Sequence, residues 1–226
     1  MTAVWPQGTI KVCGITRHED VEACLQADVD LIGLVLVAGS KRYLTVEQAI
    51  ALRRQVGARA RVVGVFMDQP FEHVRQACAA LAPDLVQLHG SEQGACWANL
   101  GLPLIRRVQP AAYRPGLCST ELPLLDPGAG DGVAHRWPPG DYRAAMIAGG
   151  LQVGNVAAMV RALSPAGVDV SSGVETSAGC KSAQAIETFC TNARLAFSHN
   201  ARNAQQASLM DARLGAAAMQ SGLWPN

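Results

Sequence analysis

The chain has 226 residues, 49% of them hydrophobic, and a formal charge of +1 at neutral pH. That length and apolar share suit one sizeable α/β core, while a charge this close to zero argues against a nucleic-acid partner, which a basic excess would serve. No apolar run approaches the roughly 18 residues that span a bilayer, and no N-terminal basic region leads into an apolar core. The seven cysteines, Cys13, Cys24, Cys78, Cys96, Cys118, Cys180 and Cys190, are odd in number, scattered and never spaced C-x-x-C. That spacing excludes a disulfide framework and a structural zinc site, so a soluble, reduced, cytoplasmic protein is expected.

In chain order, Ile10 and Val12 alternate with Lys11 and Cys13 until Gly14, which predicts a strand. Thr16 with Glu19 reads as a capping box for a helix from His18 to Ala27. Leu31 to Val37 is apolar throughout, as in a strand covered on both faces. Thr45 with Gln48 opens a second helix through Ala49, Leu52 and Val56, and Arg61 to Met67 is the third strand. Pro70 suits the first turn of a helix carrying Val74, Ala77, Cys78 and Leu81. Leu85 to Leu88 is the fourth strand, Ser91 caps a helix containing Trp97 and Leu100, and Pro103 to Val108 is the fifth strand.

The next crossover is short, so its helix is curtailed or absent before the strand Leu122 to Leu125. Asp126 ends that strand, and Pro127 to Asp141 is a Gly- and Pro-rich loop. Ala144 to Ala148 is the seventh strand, Asn155 to Leu163 a helix, Gly167 to Val170 the eighth strand, and Lys181 to Phe197 the closing helix. Eight strands with intervening helices make a single (β/α)8 TIM barrel, α/β in class, with a shortened fifth helix. The barrel is expected over residues 1–197, and 198–226 as a C-terminal extension, a helix packed on the barrel or a frayed tail.

Barrel chemistry is housed at the carboxyl ends of the strands. Those ends are Cys13, Ser40-Lys41-Arg42, Asp68, His89, Gln109, Asp126, Gly149-Gly150, and Asp169 with Ser171-Ser172-Gly173. Taken singly, Cys13 reads equally as a small buried hydrophobe and the paired glycines as tight turns. Together, the glycines after strand seven and the small residues after strand eight expose backbone amides where many barrels bind phosphate. Cys13 and Asp126, on strands one and six, face each other across the mouth as a thiol base and a carboxyl acid. His89 is the only histidine clearly at a strand end, which disfavours a metal. Lys11 lies too deep and Lys41 in a loop, which disfavours a Schiff base. No cofactor is expected.

Lys11-Val-Cys-Gly-Ile-Thr16, Ser40-Lys-Arg-Tyr43, Val63-Gly-Val-Phe66, Val86-Gln-Leu-His-Gly90, Leu124-Leu-Asp126, Ala148-Gly-Gly-Leu151, Asn155-Val and Val168-Asp-Val-Ser-Ser-Gly-Val-Glu175 resemble the phosphoribosylanthranilate isomerase family of tryptophan biosynthesis. The resemblance runs from about Ile10 to Arg194 and implies a (β/α)8 barrel that performs an Amadori rearrangement of a phosphorylated aminoaldose. It implies that Asp126 is the general acid, Cys13 the general base, and Arg42 the contact to the anthranilate carboxylate. It places Asp169 near the substrate amine and Gly149, Gly150, Ser172 and Gly173 around the phosphate. His89 matches a recurrent residue without an assigned role.

The chain departs from the family in the sixth loop, where Gly130-Asp-Gly-Val-Ala-His-Arg-Trp137 keeps the glycines and Trp137 but loses a lysine, threonine, phenylalanine and aspartate. Leu36-Val37-Ala38 also replaces an aromatic run. Three readings follow: the isomerase itself, a sister isomerase for another phosphorylated aminoaldose, or a weakly active barrel serving as an assembly module through its tail. The partner is a small phosphorylated molecule. A homodimer or a biosynthetic-enzyme partner stays open.

Overall fold

A computed structural model of the chain describes residues 5–115, 121–128 and 137–220. Eight parallel strands close into a barrel in sequence order: β1 (Thr9–Cys13), β2 (Leu31–Val35), β3 (Arg61–Phe66), β4 (Leu85–Leu88), β5 (Leu104–Val108), β6 (Glu121–Leu125), β7 (Met146–Ile147) and β8 (Gly167–Val170). Closure comes from β1, which pairs with β2 on one side and β8 on the other. The helices α1 (His18–Gln26), α2 (Val46–Val56), α3 (Phe71–Leu81), α4 (Val156–Leu163) and α5 (Ala183–Gln220) complete the chain.

Strand alternation divides the apolar residues into two cores. Ile10, Val12, Ile32, Leu34, Val62, Val86, Val168 and Val170 point outward and pack against the helices. Leu31, Val35, Val63, Val65, Leu85, Ile105, Leu122, Leu124 and Met146 point inward and fill the barrel, with Trp5 in the same cluster. The Trp5 indole donates to the Pro123 carbonyl at 2.8 Å. Lys11, Gln87 and Asp169 also belong to this buried population. Polar groups therefore occupy one end of a barrel that is otherwise apolar inside.

The second capping box forms as expected, with Thr45 and Gln48 satisfying each other's backbone amides. The first does not: α1 has Arg17 at its N-cap without a side-chain cap, because the Thr16 hydroxyl donates instead to the Gly179 carbonyl. Ser91 caps nothing either. Its amide and hydroxyl both reach Asp68 Oδ1, at 2.7 and 2.8 Å, and the segment beyond forms only a 3₁₀ turn, Ala95–Leu100. The curtailed fifth crossover holds a 3₁₀ turn at Pro110–Ala112 among the described residues.

After β8 the chain makes a hairpin that the sequence reading did not anticipate, β9 (Glu175–Ser177) against β10 (Cys180–Lys181). Lys181 thus belongs to β10, and the closing helix starts at Ala183. That helix runs without a break through the expected start of the extension, and residues 201–210 are exposed rather than packed on the barrel. Cys118 and the Gly130 to Arg136 stretch lie outside the described residues.

Candidate active site

A cavity of about 260 Å³ opens at the carboxyl ends of the strands, and its lining includes Cys13, Arg42, His89, Asp126, Asp169 and Ser172. Gly149, Gly150 and Gln87 also line it. Of the residues that the resemblance assigns to the site, Gly173 alone stands behind the lining. A side chain there would land on the Leu151 carbonyl oxygen, so the glycine lets the loops after β7 and β8 touch. Gly149 and Gly150 have φ of +79° and +70°, a region that glycine enters without a steric cost. A side chain at Gly149 would also approach Asp126 Oδ1 to 2.7 Å. Asp68 and Gln109 do not reach the cavity.

Cys13 is the last residue of β1, facing inward, and Gly33 is its register partner on β2. A β-carbon at Gly33 would come within 2.8 Å of Cys13 Sγ, so the missing side chain gives the thiol its room. One residue pair deeper, Lys11 Nζ lies 3.0 Å from both carboxylate oxygens of Asp169. Burial works against the Lys11 charge, but Asp169 and the neighbouring Cys13 outweigh it and hold the ammonium above its ordinary range. Burial pushes the Cys13 thiol up, and the Lys11 ammonium pulls the other way.

Asp126 is buried at the end of β6, where Oδ1 accepts the Gly128 amide at 3.0 Å. Its other oxygen faces His89 Nε2 at 3.6 Å. The Gln87 side-chain amide lies within hydrogen-bond distance of His89 Nδ1, at 3.0 Å. Burial carries the His89 pKa down to about 4 against the pull of Asp126, so the imidazole is neutral near pH 7.

Arg42 enters from the loop after β2 and crosses the backbone at Gly14, where any side chain would collide with its Cδ. Its Nε and Nη2 donate to the two carboxylate oxygens of Glu175, each at 2.7 Å. Lys181 Nζ, fully buried, donates to Glu175 Oε1 at 2.7 Å and to the Ser171 carbonyl at 3.1 Å. Burial alone would raise Glu175, yet these bonds carry its pKa down to about 2. Glu175 and Lys181 were missed as site neighbours. Glu175 sits inside the quoted Val168 to Glu175 stretch, but only the β9–β10 hairpin brings Lys181 back beside it.

The groups gathered in one cavity are a thiol, a carboxyl, a guanidinium and a rim of small residues. Such a set can move protons between neighbouring atoms of a bound anion without a metal. A family model described as N-(5'phosphoribosyl)anthranilate (PRA) isomerase matches residues 10–192. An N-(5'-phosphoribosyl)anthranilate isomerase from Dechloromonas aromatica is 36% identical over 203 residues, covering 83% of this chain and 96% of the relative. Among solved structures, the phosphoribosyl anthranilate isomerase of Thermus thermophilus superimposes with a TM-score of 0.71 at 31% identity, over 81% of this chain and 97% of its own. A further phosphoribosyl anthranilate isomerase, solved with reduced 1-(o-carboxyphenylamino)-1-deoxyribulose 5-phosphate, matches with a TM-score of 0.68 at 26% identity, over 82% of this chain and 98% of its own.

Proposed function

The chain belongs to the N-(5'-phosphoribosyl)anthranilate isomerase family, and from that premise we propose how its own residues divide the reaction. The substrate is a phosphorylated aminoaldose, N-(5-phosphoribosyl)anthranilate, and the product is 1-(2-carboxyphenylamino)-1-deoxyribulose 5-phosphate. Asp126 gives a proton to the furanose ring oxygen, the bond from that oxygen to C1 breaks, and the nitrogen lone pair forms an iminium. Cys13, in the thiolate form that the neighbouring Lys11 ammonium favours against burial, takes the proton from C2. The C2–H electrons move into an enolamine that tautomerises to the ketose.

One observation carries this division: Cys13 and Asp126, three strands apart around the ring, line the same cavity. Asp126 Oδ1 is held by the Gly128 amide, which orients the carboxyl towards that cavity. The amides around Gly149, Gly150, Ser172 and Gly173 receive the phosphate, since dipoles from short loops and helix starts favour an anion there. Arg42 meets the aryl carboxylate, and Asp169, anchored by Lys11, stands by the amine. Residues 1–197 carry the reaction in the cytoplasm, and 198–226 take no part in it.

The test is to add purified protein to freshly made phosphoribosylanthranilate and follow loss of the anthranilate-ring fluorescence. Wild-type protein consumes the substrate, while Cys13→Ala and Asp126→Asn each slow turnover by about 10²- to 10⁴-fold with the fold retained. An inert wild type, or a variant at wild-type speed, overturns the assignment.

A further inference from the structure

Arg42 is held before any substrate arrives. Its Nε and Nη2 edge is filled by Glu175 in a fork-to-fork pair with both contacts at 2.7 Å, the geometry in which a guanidinium is most strictly oriented. Among the described residues nothing bonds Nη1, and the side chain keeps 20% of its surface exposed at the cavity. Glu175 is itself fixed from the other side, because the buried Lys181 donates to the same Oε1 at 2.7 Å and to the Ser171 carbonyl at 3.1 Å. Two cations share one carboxylate, so the cluster keeps a net positive charge facing the cavity.

We infer that Glu175, braced by Lys181, is a positioning residue for Arg42: it fixes the guanidinium so that the Nη1 edge alone meets the substrate's aryl carboxylate. This rests on the reading that Arg42 is the carboxylate contact. An unbraced arginine would lose rotamer freedom on every binding event. It would also be free to turn its fork elsewhere, so the brace converts a flexible cation into a directional one. The hairpin gains a role by the same token. Glu175 and Lys181 lie in register across β9 and β10, so the turn that follows β8 ties the carboxylate end of the site to the Ser171 end.

The experiment compares two reduced, non-reacting amino-sugar phosphates, one with a 2-carboxyphenyl group and one with phenyl, by calorimetric Kd on wild type, Glu175→Gln, Glu175→Asp and Arg42→Met. Glu175→Gln should weaken the carboxylated ligand about ten-fold and leave the phenyl ligand within about two-fold, with kcat nearly unchanged and KM raised. Glu175→Asp should fall between Glu175→Gln and wild type, and it decides the matter if Glu175→Gln does not fold. If Arg42→Met keeps the preference for the carboxylated ligand, the reading of Arg42 itself has failed. If Arg42→Met loses that preference but the Glu175 variants keep it, or weaken both ligands alike, Glu175 is only structural and the inference is overturned.

Discussion

Lys11 on β1 and Asp169 on β8 are register partners across the seam that closes the barrel, and their side chains meet at 3.0 Å inside it. Lys11 is fully buried and Asp169 8% exposed. Such a pair adds little net stability, because desolvation offsets the attraction, but removing one partner strands the other charge. Lys11→Met is therefore expected to destabilise the barrel by about 3–5 kcal/mol, and Lys11→Met with Asp169→Asn by clearly less. Urea denaturation of the three proteins measures this; a double variant no more stable than Lys11→Met would mean that the stranded Asp169 charge is not the source of the loss.

Gly173→Ala should weaken phosphate binding through the loops rather than through the chemistry. The new methyl group would land on the Leu151 carbonyl oxygen and force the segments after β7 and β8 apart. Because the affected contact is to a part of the substrate that does not react, KM should rise well before the intrinsic rate of proton transfer changes. Steady-state kinetics with inorganic phosphate as a competitor separates the two: a lowered phosphate affinity is expected, and an unchanged one contradicts the assignment of these loops.

The barrel was legible because parallel strands buried on both faces appear as short apolar runs between helical stretches, as Leu31–Val35 does. The strand ends carried Cys13, Asp126 and the glycine pair with them. Other features were not legible, for reasons that are local in the sequence and distant in space. Thr16 has the spacing of a cap, but its hydroxyl donates to the carbonyl of Gly179, a residue far along the chain. Gly33 looks like a weak point in an apolar strand until register puts the Cys13 thiol against it. Lys11 and Asp169 become neighbours only when the first strand meets the eighth. The Arg42, Glu175 and Lys181 cluster likewise needs three segments to converge, and no periodicity announces that.

His89 gives the protein a pH signature separate from catalysis. Its pKa is about 4 in the fold against about 6.5 in an unfolded chain. Between those values the unfolded state binds the proton and the folded state does not. Stability is therefore full above pH 6.5 and falls as pH drops towards 4, by about 1–3 kcal/mol after allowance for the ring's partial exposure. Glu175 and Glu72, with pKa values of about 2, lose their contributions only at lower pH, so the window from 6.5 to 4.5 belongs mainly to His89. Thermal melts of wild type and His89→Gln across that window should diverge, the variant showing the flatter profile; parallel profiles would place the imidazole in a different protonation state.

The extension can be trimmed at a position that the helix contacts define. Asn200 on α5 donates through Nδ2 to the Val160 carbonyl at 2.8 Å and to Ser164 Oγ at 3.0 Å. It thereby ties α5 to the end of α4, where the Val160 carbonyl also accepts the Ser164 amide at 2.9 Å. From 201 to 210 every residue is exposed, and Leu209 and Met210 keep 56% and 65% of their surface. Truncation after Asn200 should leave turnover unchanged and stability within about 0.5 kcal/mol, whereas truncation after Phe197 also removes Asn200 and should cost about 1–2 kcal/mol. Asn200→Ala in the full chain should reproduce that second loss. A full chain whose turnover collapses on truncation after Asn200 would instead give the exposed segment a part in the reaction.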